Sequence, residues 1–380
     1  MSLHQYDSVA EGHSFVEARF ESFFLNQGYR EHPSMPLISE GDESVIFTGA
    51  SISAVKDLVI SERIGHPGLY IIQPVIRTQD FRSAFSNEFV PLGQTFFHMA
   101  TVHAPAGSYN RVCAEAIEFT VHGLGVSPSR LMVKTTSSDP ELTSYWKDVT
   151  GIKVEYDSNK PNYYVWEYGV EGVLGSGITI SLYNPTTKSY WDVGNIVILR
   201  DPTGREIGVE FGYGIEFFLT ALTSTAEPLR WSLIADVVPY QPGLQQKLMA
   251  YLEAFVRMSC AGAKIGDKKV DHIFKQYVKA INFISQFLEI ELSEIRSICE
   301  QYCIMFNLEE HLEGIYEALT FITIHRERIE VFRHYALQIS NSRQILCDPS
   351  KKLSARARQL GLVSEELQKV LTEEGLSQFL

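Results

Sequence analysis

The chain has 380 residues, 45% of them hydrophobic and 21% charged, which is the balance of an ordinary globular protein with room for more than one core. A net charge of −13 and a pI near 5.4 argue against a protein wrapped broadly around nucleic acid, leaving room only for a local basic groove. Its apolar runs are too short to span a bilayer, no apolar stretch behind a basic start marks a secretory signal, and a cytoplasmic protein is expected.

Taken in order, the first predicted element is a helix over 14–26. Strand-like runs follow at 44–48 and 68–76, then a helix over 110–122, then strands at 130–135, 177–183, 194–199 and 206–211. Turn signals bound several of these, notably Asn184-Pro185 and Asp201-Pro202-Thr203-Gly204. The second joins its flanking strands as a hairpin, so part of the sheet must be antiparallel.

After Pro242-Gly243 the pattern changes to helix. Leu248, Tyr251, Leu252, Phe255 and Met258 recur at three- and four-residue spacings, and so do Ile273, Phe274, Tyr277, Val278, Ile281 and Ile284. Further helices fit 291–306, 312–340 and 364–371. The reading is an α+β domain over 1–240 followed by an all-helical domain over 241–380.

Five cysteines without C-x-x-C spacing fit free thiols in a reducing compartment. Cys299 and Cys303, at i and i+4, read as a buried pair of small side chains. With no H-x-x-x-H pair either, no zinc and no other protein-bound metal is expected.

Several short segments carry a family likeness. Phe20-Glu21-Ser22-Phe23-Phe24, Gly28-Tyr29 and Val45-Ile46-Phe47-Thr48-Gly49-Ala50 open it. Gln73-Pro74-Val75-Ile76-Arg77, Thr95-Phe96-Phe97-His98-Met99 and Tyr164-Val165-Trp166-Glu167-Tyr168-Gly169 continue it. Gly194-Asn195-Ile196-Val197 and Val209-Glu210-Phe211-Gly212-Tyr213-Gly214-Ile215-Glu216 close it. Each is weak alone; their order and spacing resemble the catalytic domain of alanyl-tRNA synthetases, class II enzymes. Phe255-Val256-Arg257 through Lys279-Ala280-Ile281 is similar to that family's tRNA-recognition domain, whereas its editing domain has no counterpart in these residues.

The resemblance implies a mostly antiparallel class II sheet flanked by helices, and a site for ATP, Mg²⁺ and an amino acid. Activation joins two anions, so it needs a fixed cation at the α-phosphate. Arg77 stands at the position that implies this catalytic role. Phe97, Met99, Gly214 and Phe217 stand at ATP-binding positions. Alternation puts Phe97 and Met99 on one face, so either both line a pocket or both are plain core. Trp166, Asn195, Glu210 and Gly212 stand at amino-acid-binding positions. Glu210 replaces the family's aspartate and is longer by one methylene, which opens the substrate to small amino acids other than alanine. Lys268, Lys269, Lys275 and Lys279 form a basic stretch that the resemblance makes a tRNA-binding face, although a lysine-rich helix is commonly just a solvated surface.

Some of that chemistry is missing. Phe217 replaces the motif 3 arginine, a charge-assisted phosphate contact typically worth about 1.5–3 kcal/mol, with Arg82 as a substitute cation. His98 replaces an acidic residue, and Thr179 falls where a carboxylate ends a glycine-rich segment, leaving fewer oxygen ligands for Mg²⁺. The expected function is therefore ATP-dependent activation of a small amino acid, with transfer to tRNA or another carrier, in a paralogue of the full synthetase. The alternative is a catalytically impaired paralogue that binds or regulates.

Overall fold

The structure is a computed structural model and describes residues 6–38, 46–78, 84–86, 88, 90, 93–157, 161–168, 172–239, 241–267, 269–341 and 348–380. The chain divides into two compact units, residues 1–78 with 92–240 and residues 79–91 with 241–380.

The first unit opens on α1 (Val9–Asn26). Ser8 Oγ accepts from the Glu11 amide at 3.0 Å, and the Asp236 carboxylate takes the amides of Val9 and Ala10 at 2.6 and 2.7 Å. A carboxylate on these otherwise orphaned donors suits the positive end of the helix. Then come β1 (Arg30–Glu31), α2 (Ile52–Ile60), β2 (Leu69–Ile76), β3 (Phe96–Ala104), α3 (Tyr109–Glu118), β4 (Leu131–Thr136), α4 (Pro140–Ser144), β5 (Lys153–Asp157) and β6 (Val165–Glu167). The long strands β7 (Leu174–Asn184), β8 (Ser189–Arg200) and β9 (Glu206–Gly214) lead into α5 (Ile215–Thr223).

Among the described residues all nine strands form one sheet in the order β1-β2-β3-β9-β8-β7-β4-β5, with β6 also paired to β7. The β1/β2 and β4/β5 pairs are parallel and every other pair is antiparallel. This is the mixed, mostly antiparallel sheet expected of a class II synthetase-like fold. The Asp201–Gly204 turn joins β8 to β9 as the sequence predicts, with Gly204 at φ +85°.

One face is sealed by α1, α3 and α5. Phe20, Phe24, Phe119, Tyr213 and Phe218 meet there in the main core, and burying each contributes about 1.5–3 kcal/mol. On the opposite face α2 lays Val55 and Val59 against Val197, Leu199 and Ile207. That cluster covers only one end of the face.

Two predicted elements form differently. The helix expected over 110–122 is α3 followed by a π-helical turn, Phe119–Gly123. No strand forms at Ile46–Thr48, while Ser44 and Val45 lie outside the described residues. Thr48 instead donates its amide to Leu37 O and accepts from the Ile76 amide, at 2.8 and 2.9 Å. Those two bonds fix a loop against the end of β2 without a ladder.

The second unit holds α6 (Leu244–Cys260), α7 (Lys269–Phe287), α8 (Leu292–Met305), α9 (Leu312–Asn341), α10 (Pro349–Leu360) and α11 (Ser364–Glu373). Of the periodic residues read from the sequence all but the half-buried Ile273 are buried, with the Phe255 and Phe274 rings stacked at 5.3 Å. Cys299 and Cys303 are buried free thiols on α8. The sequence pattern misses α10 because only Leu353 and Ala357 of that helix are buried. Its ends are nevertheless marked, by Asp348 accepting from the Lys351 amide at 3.0 Å and by Gly361 at φ +74°. No described helix is long and apolar enough to cross a membrane.

Candidate functional site

Alternation along the strands explains where a cavity opens. Asn195 and Val197 share a face of β8, as do Glu210, Gly212 and Gly214 of β9. The α2 cluster covers the Val197 end, and a cavity occupies the Asn195 end of the same face. Its floor is a cross-strand row in which Asn195 pairs with Thr179 on one side and Gly212 on the other. Thr179 Oγ1 donates to Asn195 Oδ1 at 3.0 Å. A Cβ at Gly212 would lie 2.5 Å from Thr101 Cγ2, so any larger residue there would have to displace Thr101.

Arg77 follows β2 directly and stands on one wall. Its Nε donates to Gly49 O at 2.9 Å, Nη2 lies 3.4 Å from Met99 Sδ, and the guanidinium sits over the Phe97 ring at 5.1 Å. Phe97 and Met99 both line the cavity, which answers the question left open by their spacing. Gly214 and Phe217 complete that side, the Phe217 ring closing on Gly214 and on Gly93, where a Cβ would meet Phe217 Cζ at 2.8 Å. Arg77 is the one cation among the described lining residues. Burial draws its pKa down, and Glu210 and Tyr168 oppose that shift.

Glu210 and Trp166 do not line the cavity. Glu210 is buried beside it on the same face of β9, accepting from Tyr168 OH at 2.8 Å and from Ser51 Oγ at 3.5 Å. Burial raises its pKa, while Tyr168, Arg77 and Ser51 favour its charge. Trp166 packs against the α2 cluster beside Tyr168. In the helical unit, Lys268 lies outside the described residues and Lys269 opens α7. Lys275 pairs with Asp267 at 2.6 Å, and Lys279 is buried with its ammonium on Gly361 O. Arg82 also lies outside the described residues.

The sequence reading missed the far wall, where Asp192 and Tyr163 stand. Asp192 Oδ1 accepts from Lys134 Nζ at 2.7 Å and Ser181 Oγ at 2.6 Å, and Tyr163 OH donates to Oδ2. Burial works against its charge, but these three donors outweigh it and hold the pKa below the usual carboxylate range. Asp192 and Asn195 are three residues apart, so simple alternation puts them on opposite faces. A β-bulge at Ile180/Ser181, where Gly194 and Asp192 pair with successive residues of β7, restores them to one face. Turn residues give no signal for such a bulge within a strand.

A nine-stranded mixed sheet with the cavity on its open face, lined by strand residues and by Arg77 just past the end of β2, defines a class II aminoacyl-tRNA synthetase-type domain. The family described as tRNA synthetases class II (A) matches residues 16–209, half of the chain, and the chain belongs to it. Among similar proteins is an alanine–tRNA ligase of Rubrobacter xylanophilus, 25% identical over 262 residues, covering 59% of this chain and 29% of that one. Another, of Tropheryma whipplei, is 29% identical over 221 residues, covering 52% and 24%. The chain thus spans under a third of the length of these relatives. A solved histidyl-tRNA synthetase of S. aureus aligns with TM-score 0.38 and 15% identity over 56% of this chain and 69% of its own.

Proposed function

We propose that the cavity activates a small amino acid with ATP, forming an aminoacyl adenylate that passes to a tRNA or another carrier. The observation that carries this reading is the fixed guanidinium of Arg77, held by Gly49 O and the Phe97 ring on the wall of a cavity floored by Asn195 and Gly212. A cation oriented before substrate arrives needs no reorganisation when negative charge builds up in the transition state. Phe97, Met99 and Phe217 supply flat or polarizable surface suited to adenine. Asp192 is the one carboxylate among the described lining residues and is an oxygen ligand of the kind Mg²⁺ takes. Glu210, held by Tyr168 and Ser51, stands beside Gly212 at the position that the family motif gives to the substrate's ammonium.

The second reading is an amino-acid-binding paralogue that no longer forms the adenylate. Phe217 in place of a cation supports it, since Arg77 is then left as the single positive charge on the described wall. One experiment separates the two. Amino-acid-dependent pyrophosphate exchange across a panel of amino acids, lost in Arg77→Ala, supports activation. Silence across the panel, with amino-acid binding visible by calorimetry, supports the binding reading.

A further inference from the structure

Behind the cavity, on the helix-covered side of the sheet, three residues remain unused by the chemistry above. His98 lies between the cavity residues Phe97 and Met99 on β3 and therefore points to the other face. Glu216 lies in the first turn of α5, next to Phe217, and His13 in the second turn of α1. Their burial is nearly complete, with side chains 15%, 3% and 4% exposed in that order. Two imidazoles thus converge on one carboxylate, His98 Nδ1 at 3.2 Å and His13 Nε2 at 3.9 Å from the same Oε1. The three ligand atoms all lie within 4.8 Å of one another.

We propose that His13, His98 and Glu216 bind one divalent transition-metal ion of the zinc, cobalt and nickel class. Two imidazoles and a carboxylate suit those ions and not Mg²⁺ or Ca²⁺, which prefer all-oxygen sites. Metal–ligand bonds of about 2.0–2.2 Å in a tetrahedron set neighbouring ligand atoms roughly 3.3–3.5 Å apart. The His98–Glu216 edge, at 3.2 Å, is already close to that spacing, and the His13 side must close by no more than about 1.5 Å. The carboxylate is held in place beforehand, because the His98 amide donates to both of its oxygens at 3.0 and 3.2 Å. Glu17, four residues along α1 from His13, adds a second carboxylate close enough to interact with Glu216.

Two hydrogen bonds compete with the metal. His98 Nδ1 is bonded to Glu216, and His13 Nε2 to Trp231 O at 2.9 Å. Binding through Nε2 moves the His13 proton to Nδ1, which has no hydrogen-bond partner among the described atoms. An outer hydrogen bond of that kind typically strengthens a metal site about 10–100-fold, so a micromolar rather than nanomolar Kd is expected. The ligands come from three elements separated by long stretches of chain, which is why no spacing motif announces them.

The test needs no catalytic activity, so its failure leaves the amino-acid reading standing. Chelator-treated protein is titrated with Co²⁺ and Zn²⁺ by calorimetry, ligand-field absorption and thermal unfolding. One equivalent per chain is expected, with the Tm roughly 5–10 °C higher at a hundredfold excess over Kd. His98→Ala and Glu216→Gln should each weaken binding at least tenfold, and Cys299→Ser/Cys303→Ser should leave it unchanged. His13→Gln serves as a third ligand variant, with circular dichroism to show which of the three fold. Absence of binding in the native chain would overturn the proposal. So would binding that survives in folded ligand variants or disappears with the two cysteines.

Discussion

Gly212→Ala offers a sharp test of the close strand contact under the cavity. The added methyl would sit 2.5 Å from Thr101 Cγ2, about an ångström inside ordinary van der Waals contact. Thr101 is fully buried on β3, and its β-branched side chain has little rotamer freedom with which to retreat. Overpacking of this kind costs about 1–3 kcal/mol, a Tm fall of roughly 2–12 °C for a domain of this size. Thr101→Ser removes the obstructing methyl and keeps the hydroxyl that donates to Ile71 O. On its own it should cost about 0.8 kcal/mol. In the double variant the two losses should fall short of their sum by about 1 kcal/mol or more, measured by urea unfolding. Strict additivity would refute the reasoning, because it would mean that the methyls never compete for space.

Other variants probe the charges. Phe217→Arg should raise pyrophosphate exchange roughly 10²-fold if the rest of the cavity is competent, and an unchanged rate in a folded variant would count against that competence. Tyr168→Phe removes the first donor to the buried Glu210 carboxylate and should lower stability by about 1.5–3 kcal/mol, read as a lower Tm; an unchanged Tm contradicts the assigned bond. His103 has its pKa drawn down to about 3, by burial first and then by His32; Ser51 faces its ring and Glu210 is its partner across β9. Below pH 6.5 the unfolded chain takes a proton that folded His103 refuses, so stability falls with pH at about 1.4 kcal/mol per unit from this group. Urea midpoints between pH 7 and pH 5 should fall less steeply in His103→Gln, and equal slopes would contradict the assignment.

What the sequence revealed follows from how local each signal is. The α6 and α7 stripes and the Asp201–Gly204 hairpin are written in neighbouring residues, and they form as read. Arg77, Phe97, Met99, Asn195, Gly212, Gly214 and Phe217 meet in one cavity because their motifs lie on or next to β2, β3, β9 and β8, which are successive neighbours in the sheet. Asp192 stayed hidden because its facing depends on a bulge, and the burial of Glu210 was not legible because it depends on Tyr168 and Ser51, distant in sequence. Lys279 looked like part of a solvated basic face, yet its ammonium serves a backbone carbonyl at the end of α10, far along the chain.

Residues 79–91, which lie in sequence between Arg77 and the strand that carries Phe97, belong to the helical unit. The polypeptide therefore passes from one unit to the other three times, at 78/79, 91/92 and 240/241. A single proteolytic cut near 240 cannot part the halves cleanly. A fragment ending there would keep Ser86 and Phe85 but lose Lys247, which donates to the Ser86 carbonyl, and Phe283, whose ring meets that of Phe85. Dissection by truncation would thus break packing inside the helical unit itself.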